Sequence, residues 1–393
     1  MNNNKVNFNN REHTMKRLLT ITIAGMMLAS PALSGGWEAS RIDTSMMYKD
    51  GSYAEVGTSS ISFDITATTQ ATAGTTHKMA KDQTRTVLGF KMEYGGFDIG
   101  LTRYNSGAIQ LDGMATAAHK SGATCPTAGA GILQCSLVPS GDVDMTSLAL
   151  LGRYKLNENI SFLGGLNRYE VSNGTVQTLS GYYEGVSGDE LVPMAGAAYE
   201  NQEIALRVEL LVQLETDMTL TAKTSAAKGL ATTAAAGSKL VVPQTMTLNF
   251  QSGIAEDTLV FGSIHKADWD TAQITIPLNN SAAAINTSFA SRTAYSVGIG
   301  RKINDSISVL GSYSTEDGGG ATSTDPFTLT DGSQTLGLGV RYTRDNMTFS
   351  GGYSYTKVGD VKVTSAVAPG VNLTADYKNN EVSGIGLKIG FSF

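Results

Sequence analysis

Arg153, Arg207 and Arg341 each stand near one end of a period-two segment, in the phase opposite to its apolar residues. A guanidinium carries five donors in a planar fork that matches a carboxylate, so three of them on one inner surface would form a basic collar able to hold an acidic head group. The same collar could pair with acids of the chain itself, such as Glu209, Glu38 and Asp43, because buried charges need partners of opposite sign. Met46, Met47 and Tyr48 make a short apolar cluster. Thioether side chains adapt to varied shapes, so the cluster could line the floor of a pocket or pack against a wall. Cys125 and Cys135, set among Gly, Ala, Ser and Pro, are expected to form a disulfide that staples a loop; free thiols or a metal site are the alternatives, and no His or acidic cluster accompanies them. His13, His77, His119 and His265 are scattered, so no metal cluster or nucleophilic triad can be assembled, and no catalytic residue, metal or cofactor is expected.

The elements that would position these residues are strands. From Val382 to Phe393, Ile385, Leu387, Ile389, Phe391 and Phe393 alternate with Gly384, Gly386, Lys388, Gly390 and Ser392. Such a segment shows apolar side chains to one medium and small or polar ones to another, and it ends on an aromatic residue, as the closing strand of an outer-membrane barrel does. Similar runs occur at about 53–65, 84–94, 97–106, 143–155, 159–171, 193–200, 203–217, 244–253, 257–268, 293–302, 306–316, 334–343, 347–358 and 382–393, fourteen in all. Their connections alternate between tight turns, for example Tyr94-Gly95-Gly96-Phe97 and Arg344-Asp345-Asn346, and stretches of roughly 17 to 36 residues. Short turns at one rim and long loops at the other fit a bacterial barrel, and an even strand number puts both termini on the periplasmic side. A soluble sandwich has no reason to alternate its loop lengths in this way.

The facing of each strand follows from its phase. Met246, Leu248 and Phe250 should meet lipid while Thr245, Thr247, Asn249 and Gln251 face inward; Ile204, Leu206, Val208, Leu210, Val212 and Leu214 should oppose Arg207, Glu209, Gln213 and Glu215. Tyr94, Tyr154, Tyr169, Tyr342, Tyr353 and Tyr355 fit interfacial girdles. Composition agrees: only 16% of residues are charged, there are 44 Gly and 8 Pro, and the net charge of -6 with no basic stripe argues against a nucleic-acid partner. Asp317-Gly318-Gly319-Gly320 lacks the strand-to-helix setting of a phosphate loop. At the N-terminus, Met15-Lys16-Arg17, an apolar run from Leu18 to Leu28 and Ala29-Ser30-Pro31-Ala32 resemble a secretory signal peptide, with Met15 as the true start and maturation near Ser34/Gly35. Residues 1–34 are therefore expected to be leader and 53–393 the barrel.

Val242-Pro243-Gln244-Thr245-Met246-Thr247-Leu248, Phe250-Gln251-Ser252-Gly253-Ile254-Ala255, Asp257-Thr258-Leu259-Val260-Phe261-Gly262-Ser263 and Ala267-Asp268-Trp269 together resemble the FadL-type long-chain fatty acid transporters. Glu203 to Val208, Tyr295 to Arg301 and Leu336 to Tyr342 follow in the family's order, and Gly35-Gly36-Trp37 with Tyr48 to Glu55 is similar to its short-hatch subgroup. The resemblance implies an all-β, 14-stranded antiparallel transmembrane β-barrel that is monomeric, with an N-terminal hatch at 35–52 in the lumen. It also implies passive uptake of hydrophobic molecules, with capture loops at about 172–192 and 218–243 and a lateral gap at a kinked third strand, Phe97 to Ser106, whose gate would include Gly100, Tyr104 and Asn105. No Asn-Pro-Ala tripeptide is present, unlike in long-hatch members. On this reading Arg153, Arg207 and Arg341, with Met46, Met47 and Tyr48, would bind a fatty acid. The expected partners are outer-membrane lipid, a hydrophobic solute and the barrel assembly machinery, engaged through Phe393. A porin for small polar solutes is the competing reading.

Overall fold

Period-two patterning becomes geometry in the computed structural model, which describes residues 36–70, 76–113, 135–179, 181–235, 237–277 and 284–393. Fourteen antiparallel strands close into a barrel: β1 (Tyr53–Asp64), β2 (Gln83–Tyr94), β3 (Phe97–Asp112), β4 (Ser140–Lys155), β5 (Ile160–Thr178), β6 (Gly181–Asn201), β7 (Leu206–Gln213), β8 (Thr245–Ala255), β9 (Thr258–Ala267), β10 (Arg292–Lys302), β11 (Ile307–Glu316), β12 (Ser333–Arg344), β13 (Met347–Val358) and β14 (Glu381–Ser392). Each pairs with its neighbours in sequence, and β1 closes on β14 from Tyr53↔Ser392 to Asp64↔Glu381.

On β14 the apolar residues point out, with Leu387 61% exposed, whereas Gly384, Gly386 and Gly390 are buried inside. Leu338 on β12 is 67% exposed and Ile99 on β3 and Phe162 on β5 are similarly outward. Leaving a Leu or Phe side chain in water rather than an apolar medium costs about 1.5 to 3 kcal/mol each, so a belt of them marks a lipid-facing surface. Closure pairs the backbone groups of the sheet and leaves no edge, which is the condition for crossing a bilayer with strands. No described helix is long and apolar enough to cross one.

One rim consists of tight turns. Asp257 and Asp345 take φ of 55° and 52° at two of them, a conformation that Asp tolerates better than most residues. At the β6–β7 turn, Gln202–Ile204 form a single 3₁₀ turn and Ala205 is left-handed, so β7 starts at Leu206 rather than at 203. Glu215 lies beyond β7 and is exposed, where Thr271 donates a hydrogen bond to it, so it does not face the lumen.

The other rim departs from the sequence reading. Residues 172–192 are not a loop, because β5 and β6 continue upward and pair from Gly174↔Val186 to Thr178↔Gly181. Their sequence, with four Gly and several Ser and Thr, masks the alternation. Of the remaining long connections, Thr221–Ser225 and Thr233–Ala234 extend the barrel sheet at the upper edge of β6, and other parts fold into two small sheets. Thr216–Thr219, Lys239–Val242, Ile274–Pro277 and Ala284–Asn286 make one; Thr322–Ser323, Val361–Ala368, Val371–Tyr377, Thr66–Thr69 and Thr76–Lys78 make the other. Beneath them Phe63, Ile65, Met79, Met218, Leu329, Leu373 and Tyr377 form an apolar core that covers this end of the barrel.

The exterior aromatics fall where their phase places them, except Tyr169. Phe97 meets Tyr154 with ring centroids 4.8 Å apart, and Tyr342 meets Phe349 at 6.3 Å, both at the tight-turn rim. Tyr169 is buried instead, its hydroxyl donating to Gln213 Oε1 at 2.8 Å and its ring set edge-on to Trp37. A girdle role for it is therefore corrected to an inner one. Residues 1–35, on which the expected leader and Met15 fall, lie outside the described residues, as do His119 and Cys125; Cys135 is disulfide-bonded.

Candidate functional site

Residues 36–52 run down the inside of the barrel from the loop end to the tight-turn end, and side chains of the wall fix them at three levels. At the top, Trp37 to Ala39 pair with β3 as a short strand: Ala39 N donates to Ser106 O at 2.8 Å and Ala108 N to Trp37 O at 3.0 Å. Trp37 packs edge-on against Trp269, with centroids 5.2 Å apart. Below it, the Glu38 carboxylate accepts from Arg41 Nε at 2.9 Å and lies 3.4 Å from His265 Nε2. Burial alone would raise the pKa of Glu38, but Arg41 and His265 override it and hold the carboxyl at about 2.

At mid-depth, Lys388 Nζ lies 3.3 Å from Asp43 and 3.2 Å from Glu55. Burial opposes ionisation of Asp43, yet Lys388 and the Ser45 hydrogen bonds pull its pKa below the usual value. At the bottom, Ser45–Tyr48 form one 3₁₀ turn, and the hydroxyls of Thr44 and Tyr48 at its two ends both find Glu209. Thr44 Oγ1, just before the turn, donates to Glu209 Oε1 at 2.6 Å, and Tyr48 OH donates to Oε2 at 2.6 Å. Asn249 Nδ2 adds a third bond to the same carboxylate at 2.8 Å, and Glu209 is only 1% exposed.

Two of the three arginines meet at this level. Tyr48 lies between two guanidiniums, with Arg153 and Arg207 each 4.1 Å from its ring centroid. Arg153 also donates to Met47 O at 3.1 Å, to Ser161 Oγ at 3.0 Å and to Glu200, and it lies 3.5 Å from Asp98. Its acids are thus Glu200 and Asp98, not Glu209, Glu38 or Asp43. Arg341 is buried on β12 near the same rim. Lys49 sits among positive groups: burial first, then Arg341 and Lys388, push its pKa well below the ordinary value. Lys91 Nζ donates to Lys49 O at 2.6 Å and to Gly51 O at 2.9 Å, and pairs with Asp98 at 2.8 Å. These contacts pin the hatch; Arg153 spends one donor on it and the others on Ser161, Asp98 and Glu200 of the wall.

Met46 and Met47 are buried against Leu151, Leu163, Met194 and Leu211, with Ile42 and Val87 beside them. The opposite side of the lumen is different. A cavity of about 170 Å³ separates the hatch from β8–β13 and is lined there by Thr247, Asn249, Ser263, Ser296, Ser312 and Thr335. One half of the lumen is therefore filled and apolar, and the other is open and hydroxyl-lined.

Between β2 and β3 the wall has a seam. Their backbone pairing runs from the turn up to Val87↔Tyr104 and stops, while β2 continues to pair with β1 as far as Gln83. Asn105 Oδ1 accepts from Thr86 N at 2.8 Å as the last tie, and β3 bulges between Asn105 and Gly107 on its other edge. The strands rejoin above, where Lys81 N donates to Gln110 O at 3.0 Å and Asp112 N to Met79 O at 3.0 Å. The hatch strand Trp37 to Ala39 occupies the edge of β3 that β2 leaves vacant. A second cavity of about 270 Å³ lies in this window, lined by Ala39, Arg85, Asn105, Gly107, Gln110 and Asp142 among others.

Of the gate residues, Asn105 lies at the seam, Tyr104 just below it with its hydroxyl accepting from Asn167 Nδ2 at 2.9 Å, and Gly100 lower still. A Cβ on Gly100 would stand 2.4 Å from Met47 Sδ, so this glycine makes room for the methionine cluster rather than for a gate. The segments 172–192 and 218–243 meet not as an open groove but by strand pairing, Thr221–Ser225 lying antiparallel to β6 from Thr221↔Ser187 to Ser225↔Tyr182, and Val241 and Val242 are buried within a covering sheet. Sequence reading missed Trp37, His265 and Arg85. Buried polar partners of a plug carry no local pattern, and only the strand phase of Arg85, opposite to Leu88 and Phe90, hinted that it faces inward.

No family model and no curated protein matches the chain. Among solved structures, a FadL homologue from Pseudomonas aeruginosa is similar over 89% of this chain and 92% of its own at 12% identity, with a TM-score of 0.69. The Pseudomonas putida toluene transporter TodX matches over 92% of this chain and 97% of its own at 13% identity and a TM-score of 0.61, and the Ralstonia pickettii toluene transporter TbuX over the same shares at 13% and 0.59. At such identities the likeness shows a shared fold.

Proposed function

We propose that this chain is a FadL-type outer-membrane transporter that passes hydrophobic molecules, long-chain fatty acids above all, down their gradient toward the periplasm. The observation that carries this reading is the plug itself. A hatch whose apolar face seals one half of the lumen, beside a seam where β2 and β3 part, blocks a straight aqueous path and leaves a sideways one. A solute with an apolar tail gains by leaving water along such a route, whereas a sugar gains nothing from it. The fold shared with a FadL homologue and two toluene transporters supports the solute class. On this reading the tight-turn rim and both termini are periplasmic, the leader is a cleaved signal peptide, Phe393 is read by the assembly machinery, and the barrel works as a monomer in outer-membrane lipid.

The hydroxyl-lined cavity favours a second reading, a porin for small polar solutes. Uptake of a radiolabelled long-chain fatty acid and of a small sugar separates the two, in bacteria lacking their own transporter and expressing the chain with or without residues 35–52. Fatty acid alone should enter through the full chain, at a rate that changes when the segment is removed. Equal passage of sugar, with no fatty acid uptake, would leave the porin reading standing.

A further inference from the structure

A third cavity, of about 550 Å³, lies at the loop end, above the hatch and away from the seam. Three connections build it: Ser288 and Phe289 come from between β9 and β10, Thr322 to Thr328 and Asp331 from between β11 and β12, and Val361 and Thr364 from the hairpin between β13 and β14. Hydrogen bonds fasten the three together. Ser288 N donates to Asp325 Oδ2 at 2.6 Å, Lys362 N to Ala321 O at 3.0 Å and Asp331 N to Gly359 O at 3.1 Å, while Asp331 Oδ1 accepts from Gly320 N at 3.1 Å. The walls are therefore fixed from three sides, and the volume falls in the range of ligand cavities.

Its chemistry says which ligand. Six hydroxyl side chains line it, those of Ser288, Thr322, Ser323, Thr324, Thr328 and Thr364, and no hydrogen bond among the described residues engages the hydroxyls of Ser288, Thr322, Thr324 and Thr364. Arg292, which only donates, and Asp331, which only accepts, stand in the same wall 4.0 Å apart and cancel each other's charge. Phe289 adds an apolar face. Such a wall offers little to an alkyl tail or to an ion. It matches a neutral saccharide, whose hydroxyls donate and accept at once and whose ring carbons can lie on an aromatic face. Beneath it a neck of about 10 Å³, lined by Gly36, His265, Trp269, Arg292 and Glu316, reaches Glu38, Arg41 and Ala294, which also line the lumen cavity. That is room for one water molecule and bars a sugar. We infer that the loop-end cavity binds a neutral saccharide and holds it above the lumen instead of passing it inward, a function that neither the hydrophobic-uptake reading nor the porin reading contains.

The test uses purified full-length protein in a detergent without a sugar head group, with saturation-transfer NMR as the readout. The probes are glucose, galactose, maltose, lactose and the delipidated core oligosaccharide of a lipopolysaccharide. At least one should bind saturably, with a Kd of about 1 mM or tighter. Tighter binding of the core oligosaccharide than of the simple sugars would identify the source as a surface glycan, and the reverse would identify a free sugar; either agrees with the assignment. Ser288→Ala and Thr364→Val should each weaken binding by about three- to tenfold, the loss of one hydrogen bond, and Thr324→Trp, which fills the cavity, should abolish it. In proteoliposomes the bound sugar should not enter, as read by swelling. Binding of no probe by the unaltered protein would overturn the assignment. So would binding that survives all three substitutions, since the sugar would then sit elsewhere. Swelling in the bound sugar would overturn the holding role and favour the porin reading.

Discussion

Charged side chains in this lumen act chiefly as fastenings, and Glu38 shows how firmly one can hold. Its carboxyl is kept at about 2, against 4.5 for the free group, so ionised Glu38 stabilises the hatch fully above about pH 4.5. That contribution is lost as pH falls through 2. In detergent or liposomes, Trp37 emission should therefore stay constant from pH 7 to about 4.5 and change only below it, and Glu38→Gln should lack this step; a change centred near pH 6 in the unaltered protein would show that another group fastens the strand. At this scale the sequence was partly readable. Strand phase and rim position placed Arg153 and Arg207 beside the plug, as that pattern alone can do. Their partners were not readable, because Glu200 and Asp98 meet Arg153 across strands β3, β4 and β6, and Tyr48 meets both arginines only once the hatch has folded inward.

Strands here carry information in what they lack. Gly107 faces the hatch, and a Cβ there would stand 2.5 Å from the Trp37 ring and 3.1 Å from Trp37 O. A rigid indole and a backbone oxygen cannot step aside, so Gly107→Ala should weaken the hatch strand by about 1 to 3 kcal/mol. Gly100→Ala meets only the ends of two methionine side chains, which can repack, and should cost far less. Hydrogen exchange at the Ala39 and Ala108 amides checks the contrast; it should accelerate in the first variant and barely move in the second, and equal behaviour would mean the hatch strand is not held by this contact. All fourteen barrel strands were legible from alternation, since each shows one face to lipid. The upper parts of β5 and β6 were not, because register shifts between Val171 and Val176 break the period-two signal there, although Val176, Tyr183 and Val186 are buried in the covering core.

The molecule as a whole divides its interior lengthwise. Apolar packing of the hatch fills the side of β3 to β7, hydroxyls line the side of β8 to β13, and the seam between β2 and β3 opens beside the boundary between them. An aromatic end residue, an apolar belt and one rim of short turns pointed to such a barrel from sequence alone. The plug's course through it depended on contacts between residues hundreds of positions apart, such as Asp43 with Lys388. The central claim is that an apolar solute travels inside the barrel along the hatch. The most direct measurement is photo-cross-linking of a diazirine-bearing long-chain fatty acid to the protein in intact cells, with the adducts located by mass spectrometry. Adducts at Ile42, Met46, Val87 and Tyr104, competed away by unlabelled fatty acid, are the predicted result. Adducts confined to the outward belt, at Leu338, Leu387 and their neighbours, and insensitive to competitor, would contradict it.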